Sequence, residues 1–327
     1  MDEFEKQAFS EGLAKTIDST PAAQLREALE EFGWLDLLDE EPAEAAGIVF
    51  PLLGEHLVAL PLLDDVCTKA AGLEPGPDTA FVYPALSSPV PTSTATLDGG
   101  ILKMTLRGIV AARDAAPETV VAPVLLDGEP ALVAGPWEGT WPAAGQGIDA
   151  ESGWAQLDAN WSVPAGAVVA SGEPGTAWTA VRAAGHLALA FKMNAVGAAM
   201  LRLAVEHTAS REQFGQRLSG FQVVRHKLAD VRVWQETASL AADAAEESTD
   251  VLSCLLAKTL AGRFLRTARE NCQQLLGGMG FTQEHDFHRY LRRALVLENL
   301  LGSTGSLRAE LGSSIRAARS VPRLATL

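Results

Sequence analysis

The chain has 327 residues, 47% of them apolar, and 26 basic against 41 acidic side chains give it a formal charge of −15 and a pI near 4.8. That balance argues against nucleic acid or an anionic membrane as partner, because both select concentrated positive charge. Three scattered cysteines, Cys67, Cys254 and Cys272, show neither disulfide-framework nor zinc spacing, residues 1–10 do not read as a secretory signal, and no apolar run approaches the roughly 20 residues that span a bilayer, so a cytoplasmic protein is expected.

Residues 1–73 read as a helical domain. Phe4, Ala8, Phe9, Leu13 and Ile17 recur at helical spacing, and Ser19-Thr20-Pro21 marks a capped restart with proline in the first turn. Leu25, Leu29, Phe32, Leu35 and Leu38 continue the stripe. Residues 42–60 are apolar enough for a buried helix that Pro51 kinks or divides.

From Glu74 to about residue 176 proline and glycine become frequent and short β-branched runs appear, which predicts a small antiparallel barrel or sandwich. Strands are expected at 81–83, 95–97, 101–106, 119–126, 131–134, 156–157 and 167–170. Asp98-Gly99 and Asp127-Gly128 lie where tight hairpins need residues that tolerate positive φ. Five of the seven tryptophans fall between residues 137 and 178.

Residues 177–327 return to helix. Long segments at 187–207, 221–245 and 251–276, with shorter ones at 284–301 and 307–317, predict a bundle of the four-helix type. The last long helix runs into Gln274-Leu-Leu-Gly-Gly-Met-Gly-Phe281. Glycine costs a helix interior about 1 kcal/mol relative to alanine, so the cluster is expected to end the helix and let a ligand or backbone come close.

A second motif precedes it: Arg211-Glu-Gln-Phe214-Gly215, with Gln222 eleven residues after Arg211. An arginine offers a fixed fork of donors to a pyrophosphate, glutamines read ribose or adenine edges, and paired glycines let backbone amides reach phosphate. Taken separately, each also reads as a surface charge or a plain helix cap; the spacing of the two together points to a nucleotide.

Arg211, Phe214, Gly215, Gln222, Gln274, Gly277, Gly278, Gly280 and Phe281 together resemble the C-terminal domain of acyl-CoA dehydrogenases. The resemblance is strong over 180–317, fair in the N-terminal helices at Phe32-Gly33-Trp34-Leu35 and Leu53-Gly54-Glu55, and weak between. It implies an α+β fold: an N-terminal helical domain, a middle antiparallel β domain and a C-terminal bundle. It also implies FAD, with Arg211, Phe214, Gln222, Gln274, Gly277 and Gly278 reaching the cofactor of a neighbouring subunit.

The family dehydrogenates an acyl-CoA thioester. A carboxylate takes the α-proton while the flavin N5 accepts a hydride from the β-carbon, and that carboxylate sits in a dry pocket that raises its pKa. Its two family positions fall here on Leu301, just before Gly302, and on Gly185, 26 residues before Arg211; neither can take a proton. Glu298 is a substitute candidate, with a salt bridge to Arg292 or Arg293 as its plainer role. His186 adjoins Gly185, and Arg293 stands where the family has an acidic residue. The family's flavin-gripping strings are missing from the middle block.

The chain resembles the stripped subunit of actinobacterial α2β2 acyl-CoA dehydrogenases that act on steroid side chains. This implies a full-length partner holding the flavin ring, the acyl-CoA and the glutamate. Two other readings stay open: an autonomous flavin dehydrogenase using Glu298, and a scaffold of the same fold. His285 and His288, three apart, have a metal-like spacing, but no further ligands accompany them.

Overall fold

The structure is a computed structural model that describes residues 3–145, 147–169 and 175–319. Five helices come first: α1 (Glu3–Ser19), α2 (Leu25–Glu31), α3 (Trp34–Glu40), α4 (Pro42–Glu55) and α5 (Leu62–Ala70). Pro42 stands in the first turn of α4, where a missing N–H costs nothing. The helix runs on through Pro51, because nearly every residue around it is buried and tertiary packing outweighs the lost hydrogen bond.

The sheet follows, with β1 (Thr79–Phe81), β2 (Ser93–Asp98), β3 (Ile101–Ala111), β4 (Thr119–Leu126), β5 (Glu129–Pro136) and β6 (Trp154–Pro164). β2–β3, β3–β6 and β4–β5 are antiparallel, but β4 pairs in parallel with β1 through Thr119 and with β2 through Val124. The sheet is therefore mixed, not purely antiparallel as the texture suggested. Between β1 and β2 the chain carries Pro84, Pro89 and Pro91, which lack the N–H a ladder needs. It steps aside there and resumes in the same direction along β4. The hairpin expected at Asp127-Gly128 forms there, whereas the one expected at Asp98-Gly99 turns one residue later, on Gly99-Gly100, because Asp98 still pairs with Ile101; all four turn residues have positive φ. The expected strand at 167–170 reduces to a 3-10 turn at 165–167 and one bridge from Val168 to Val133; Ala170 lies outside the described residues.

β3 shows how the sheet meets the helices. Leu102, Met104 and Leu106 alternate inward, then Gly108 to Ala111 are all buried as the strand runs beneath its neighbours. The sheet has its own core of Met104, Leu106, Val124, Trp137 and Trp161, with Trp137 edge-on to Trp141. A buried polar seam joins it to the helical part. Asp64 accepts from Tyr83 Oη at 2.7 Å and from Arg113 at 2.8 Å, and Asp65 accepts from Trp34 Nε1 at 2.8 Å and Arg26 at 3.1 Å.

The remaining helices are α6 (Thr176–Ser210), α7 (Gln222–Ser248), α8 (Val251–Leu276), α9 (Phe287–Leu297) and α10 (Thr304–Ala318), with a small hairpin β7 (Glu212–Gln213) and β8 (Gln216–Arg217) between α6 and α7. Asp250 caps α8 by accepting from the backbone N–H groups of Leu252 and Ser253. α6 packs against α4, α5, α7, α8 and α9, and every residue from Leu187 to Met193 is buried. By length and composition α6 is apolar enough to cross a membrane, contrary to the expectation from the sequence, but 67% of its most apolar window is buried inside the protein. It is built as the core helix of a bundle.

α9 ends at Leu297, four residues short of the expected end. Leu301 at φ 53° and Gly302 at φ 107° turn the chain back towards α10, and a helix cannot pass through left-handed residues.

Candidate functional site

The two motifs found in the sequence meet at one end of the bundle. Arg211 caps the C-terminus of α6, its N–H donating to the carbonyl of His207 at 2.9 Å. Phe214 (φ 55°) and Gly215 (φ 80°) form the tip of the β7–β8 hairpin, the paired left-handed conformation that matches strand twist in a two-residue turn. Phe214 is 91% exposed, with only an edge-on contact to Phe221 at 6.2 Å between ring centres. A non-glycine at positive φ with a bare aromatic ring is strained and poorly solvated, a combination that marks contact surfaces. Gln222 follows at once as the exposed first residue of α7.

On the other strand of the site, α8 stops at Leu276, where Gly277 (φ 58°) donates to the carbonyls of Gln273 and Gln274. Gly277 and Gly278 have no atom within 4 Å of the place a β-carbon would occupy, so their backbone faces open space. Gln274 is exposed beside them and Phe281 is 76% exposed. Lys227 on α7 donates to Asn271 on α8 at 3.0 Å and ties the two segments together. All six residues expected to contact a nucleotide are exposed at the surface.

The two positions at which the resemblance expects a base also converge. A β-carbon placed on Gly185 would lie 2.5 Å from Leu301 Cδ1 and 3.5 Å from Cys67 Sγ. Gly185 and Leu301 are both buried, and the Leu301 side chain fills the space over Gly185. The surrounding turn is fixed from below. His186 Nε2 donates to the Leu301 carbonyl at 3.0 Å, and Lys258 Nζ donates to the carbonyls of Gly302 at 2.7 Å and Glu298 at 3.5 Å. Burial, with Lys258 and Arg182 nearby, holds His186 well below the usual imidazole range. Burial likewise lowers Lys258 to about 7, against the pull of Glu298. His186 is thus a neutral donor to backbone.

Glu298, the substitute candidate, is 5% exposed and committed elsewhere. Its carboxylate lies 3.3 Å from Arg266 and 3.4 Å from Arg269 and accepts from Thr304 Oγ1 at 3.2 Å. The expected partner Arg293 turns instead to Asp149 at 2.6 Å and to the carbonyls of Leu57 and Glu151. That buried arginine clamps the loop before β6 onto α9. Lys258, Arg266, Arg269 and Asp149 had not been singled out from the sequence. The readable signal for Lys258 was a lone cation within the apolar run Leu255-Leu256-Ala257-Lys258-Thr259-Leu260.

His285 lies outside α9, whose first residue is Phe287, so the metal-like pair does not share a helix face. His285 Nδ1 accepts the Phe287 N–H at 3.2 Å, while His288 Nδ1 pairs with the His285 carbonyl. No cluster able to hold a metal occurs among the described residues.

Residues 180–315 match the family model described as "Acyl-CoA dehydrogenase, C-terminal domain". Acyl-CoA dehydrogenase IpdE2 of Mycobacterium tuberculosis is 35% identical over 146 residues, 44% of this chain and 43% of that protein. The chain thus spans less than half the length of such curated relatives. Two solved structures share the fold throughout. The ChsE4–ChsE5 complex from Mycobacterium tuberculosis has a TM-score of 0.74 at 19% identity, covering 99% of both chains. A variant of the Tcur3481–Tcur3483 steroid ACAD has a TM-score of 0.75 at 19% identity, covering 97% of this chain and 98% of that one. The motif-bearing bundle matches the model of the acyl-CoA dehydrogenase C-terminal domain, and the whole chain shares the fold of these two structures.

Proposed function

We propose that this chain is the non-catalytic subunit of a heteromeric, FAD-dependent acyl-CoA dehydrogenase. It supplies contacts to the adenosine and pyrophosphate of an FAD, and a full-length partner supplies the flavin-ring site, the acyl-CoA site and the glutamate base. One contrast carries the reading: the base site is filled by Leu301 over Gly185, whereas the nucleotide edge stands open at the surface. Arg211, Phe214, Gln222, Gln274, Gly277 and Gly278 would hold the nucleotide half. Arg211 has no carboxylate partner among the described residues and Gly277-Gly278 are unobstructed, which fits a phosphate-bearing ligand. When bound, FAD supplies the hydride acceptor for oxidation of a CH–CH bond. This chain's residues orient it and hold no proton for the reaction. An α2β2 assembly in the cytoplasm acting on a bulky steroid side-chain acyl-CoA is the specific form proposed. The steroid ACAD and the ChsE4–ChsE5 complex among the similar folds, and three buried unpaired thiols, favour it.

The test is to purify the chain alone and co-expressed with a full-length homologue, and to record the visible spectrum and mass of each. A colourless single chain and a yellow heteromer that loses flavin on Arg211→Ala are expected. A yellow homo-oligomer that reduces its flavin with an acyl-CoA, and stops on Glu298→Gln, would overturn the reading in favour of an autonomous enzyme. A colourless protein that ignores the partner would leave a scaffold.

A further inference from the structure

A cavity of about 460 Å³ opens between α4, α5, α6 and the start of α8. Its walls include Ala46 from α4, Val66 and Ala70 from α5, Ala183 and Leu187 from α6, and Cys254 from α8. It is separate from the sealed position described above. Gly185 and His186 face Leu301, whereas Ala183 and Leu187, one turn apart, lie on a different side of α6. Two features keep the cavity from closing. Alanine side chains are too short to meet across it. The helices also cannot slide together, because they already touch elsewhere. A β-carbon on Gly54 of α4 would lie 2.5 Å from the Lys192 carbonyl oxygen on α6, and one on Gly197 of α6 would lie 2.4 Å from the Phe264 ring on α8.

The lining selects charge as well as size. Lys69 is the one charged residue among the described lining residues, and its ammonium is paired with the exposed Asp39. Asp39, Glu40, Glu41 and Glu44 bracket Pro42 and Ala43, which also line the cavity, with Pro42 at the surface. An arriving anion meets this acidic rim, and the cation beside it is already neutralised, so a charged ligand of that sign is rejected. A chamber with so apolar a wall offers water few partners and suits an apolar guest.

We infer that this cavity is a binding site for one neutral, apolar small molecule, distinct from the exposed nucleotide motifs and from the acyl-CoA of the proposed partner. Ligand cavities run from about 300 to about 1,000 Å³ and are lined mainly by apolar groups, and this one meets both conditions. The site stands on the cavity alone and does not depend on the function proposed above.

Fluorescence titration of the full chain with phenylnaphthylamine, a neutral probe, and with its anionic analogue anilinonaphthalene sulfonate tests this. Saturable binding of one phenylnaphthylamine per chain is expected, with the sulfonate held about tenfold more weakly or not at all. Ala184→Phe and Ala70→Phe, at half-buried lining positions on different helices, each place a ring in the cavity. Each should weaken the neutral probe by about tenfold or more while thermal unfolding shows a folded protein. Phe214→Ser, which removes the exposed ring at the β7–β8 tip, should leave binding unchanged. Equal binding of the two probes, unaltered binding in both phenylalanine variants, or loss of binding in Phe214→Ser would each overturn the inference. Displacement of the probe when a full-length homologue joins the chain would also overturn it, and would mark the cavity as a socket for the partner's side chains. Retention of the probe in a heteromer that never takes up flavin would leave the inference standing while the proposed function fails.

Discussion

Leu301 Cδ1 lies 2.5 Å from the point where Gly185 would carry a β-carbon, so the two residues fit only because one of them has no side chain. Gly185→Ala overpacks the site and should cost about 1–3 kcal/mol, and Leu301→Ala leaves a cavity worth about 2–5 kcal/mol. The double variant should cost less than the sum by about 1 kcal/mol or more, since the added methyl enters the vacated space. Urea unfolding of the four proteins measures the coupling; strict additivity would mean the contact is absent.

Glu298 serves the stability of the turn before α10. Glu298→Gln keeps the shape but loses the charge opposite Arg266 and Arg269, which are 48% and 19% exposed at their side chains. A loss of about 1–2 kcal/mol is expected, with the flavin content of a co-expressed heteromer unchanged. Unchanged stability with abolished turnover would assign Glu298 to catalysis.

Arg293 is 2% exposed and donates to Asp149, Leu57 and Glu151. Arg293→Met strands a buried carboxylate and two carbonyls and should cost about 3–5 kcal/mol. Arg293→Lys should recover only part of this, because a single ammonium cannot reproduce the fork that reaches all three. Midpoints of thermal unfolding would rank wild type above Lys above Met; equal midpoints for Lys and wild type would refute the fork argument.

Lys258 and Lys192 are both lowered by burial to about 7. Between about 7 and the ordinary lysine value the unfolded chain binds more protons than the folded one, so stability should rise with pH there, by up to about 1.4 kcal/mol per pH unit for each group. Above about 9 the sign reverses. Burial raises Cys254 and Cys272 to about 12, and raises Cys67 further, so the folded chain retains protons that the unfolded thiols lose. Stability measured by denaturant should peak near pH 9. Lys258→Met should flatten the rise below it, standing closer to wild type at pH 6 than at pH 9; parallel curves would show that Lys258 does not titrate in this range.

Much of this was legible in the sequence because the signals are local. Helical periodicity placed the long bundle helices, Asp127-Gly128 set a hairpin by the φ it permits, and the spacing of Arg211, Gln222, Gln274 and Gly277 pointed to the C-terminal domain model that residues 180–315 match. That Leu301 and Gly185 carry no group that accepts a proton could also be read.

What the sequence could not settle were pairings between residues far apart in the chain. Glu298 lies five residues from Arg293, yet it pairs with Arg266 and Arg269 on α8, while Arg293 crosses to Asp149. Sequence proximity says little once a turn of left-handed residues redirects the chain. The parallel pairing of β1 and β2 along β4 depended on where a proline-rich loop stepped aside. The sequence by itself determined which chemistries are present and absent. Only the tertiary structure decided that Leu301 closes over Gly185 while Phe214, Gln274 and Gly277 stay exposed, because close packing and exposure belong to surfaces brought together by folding.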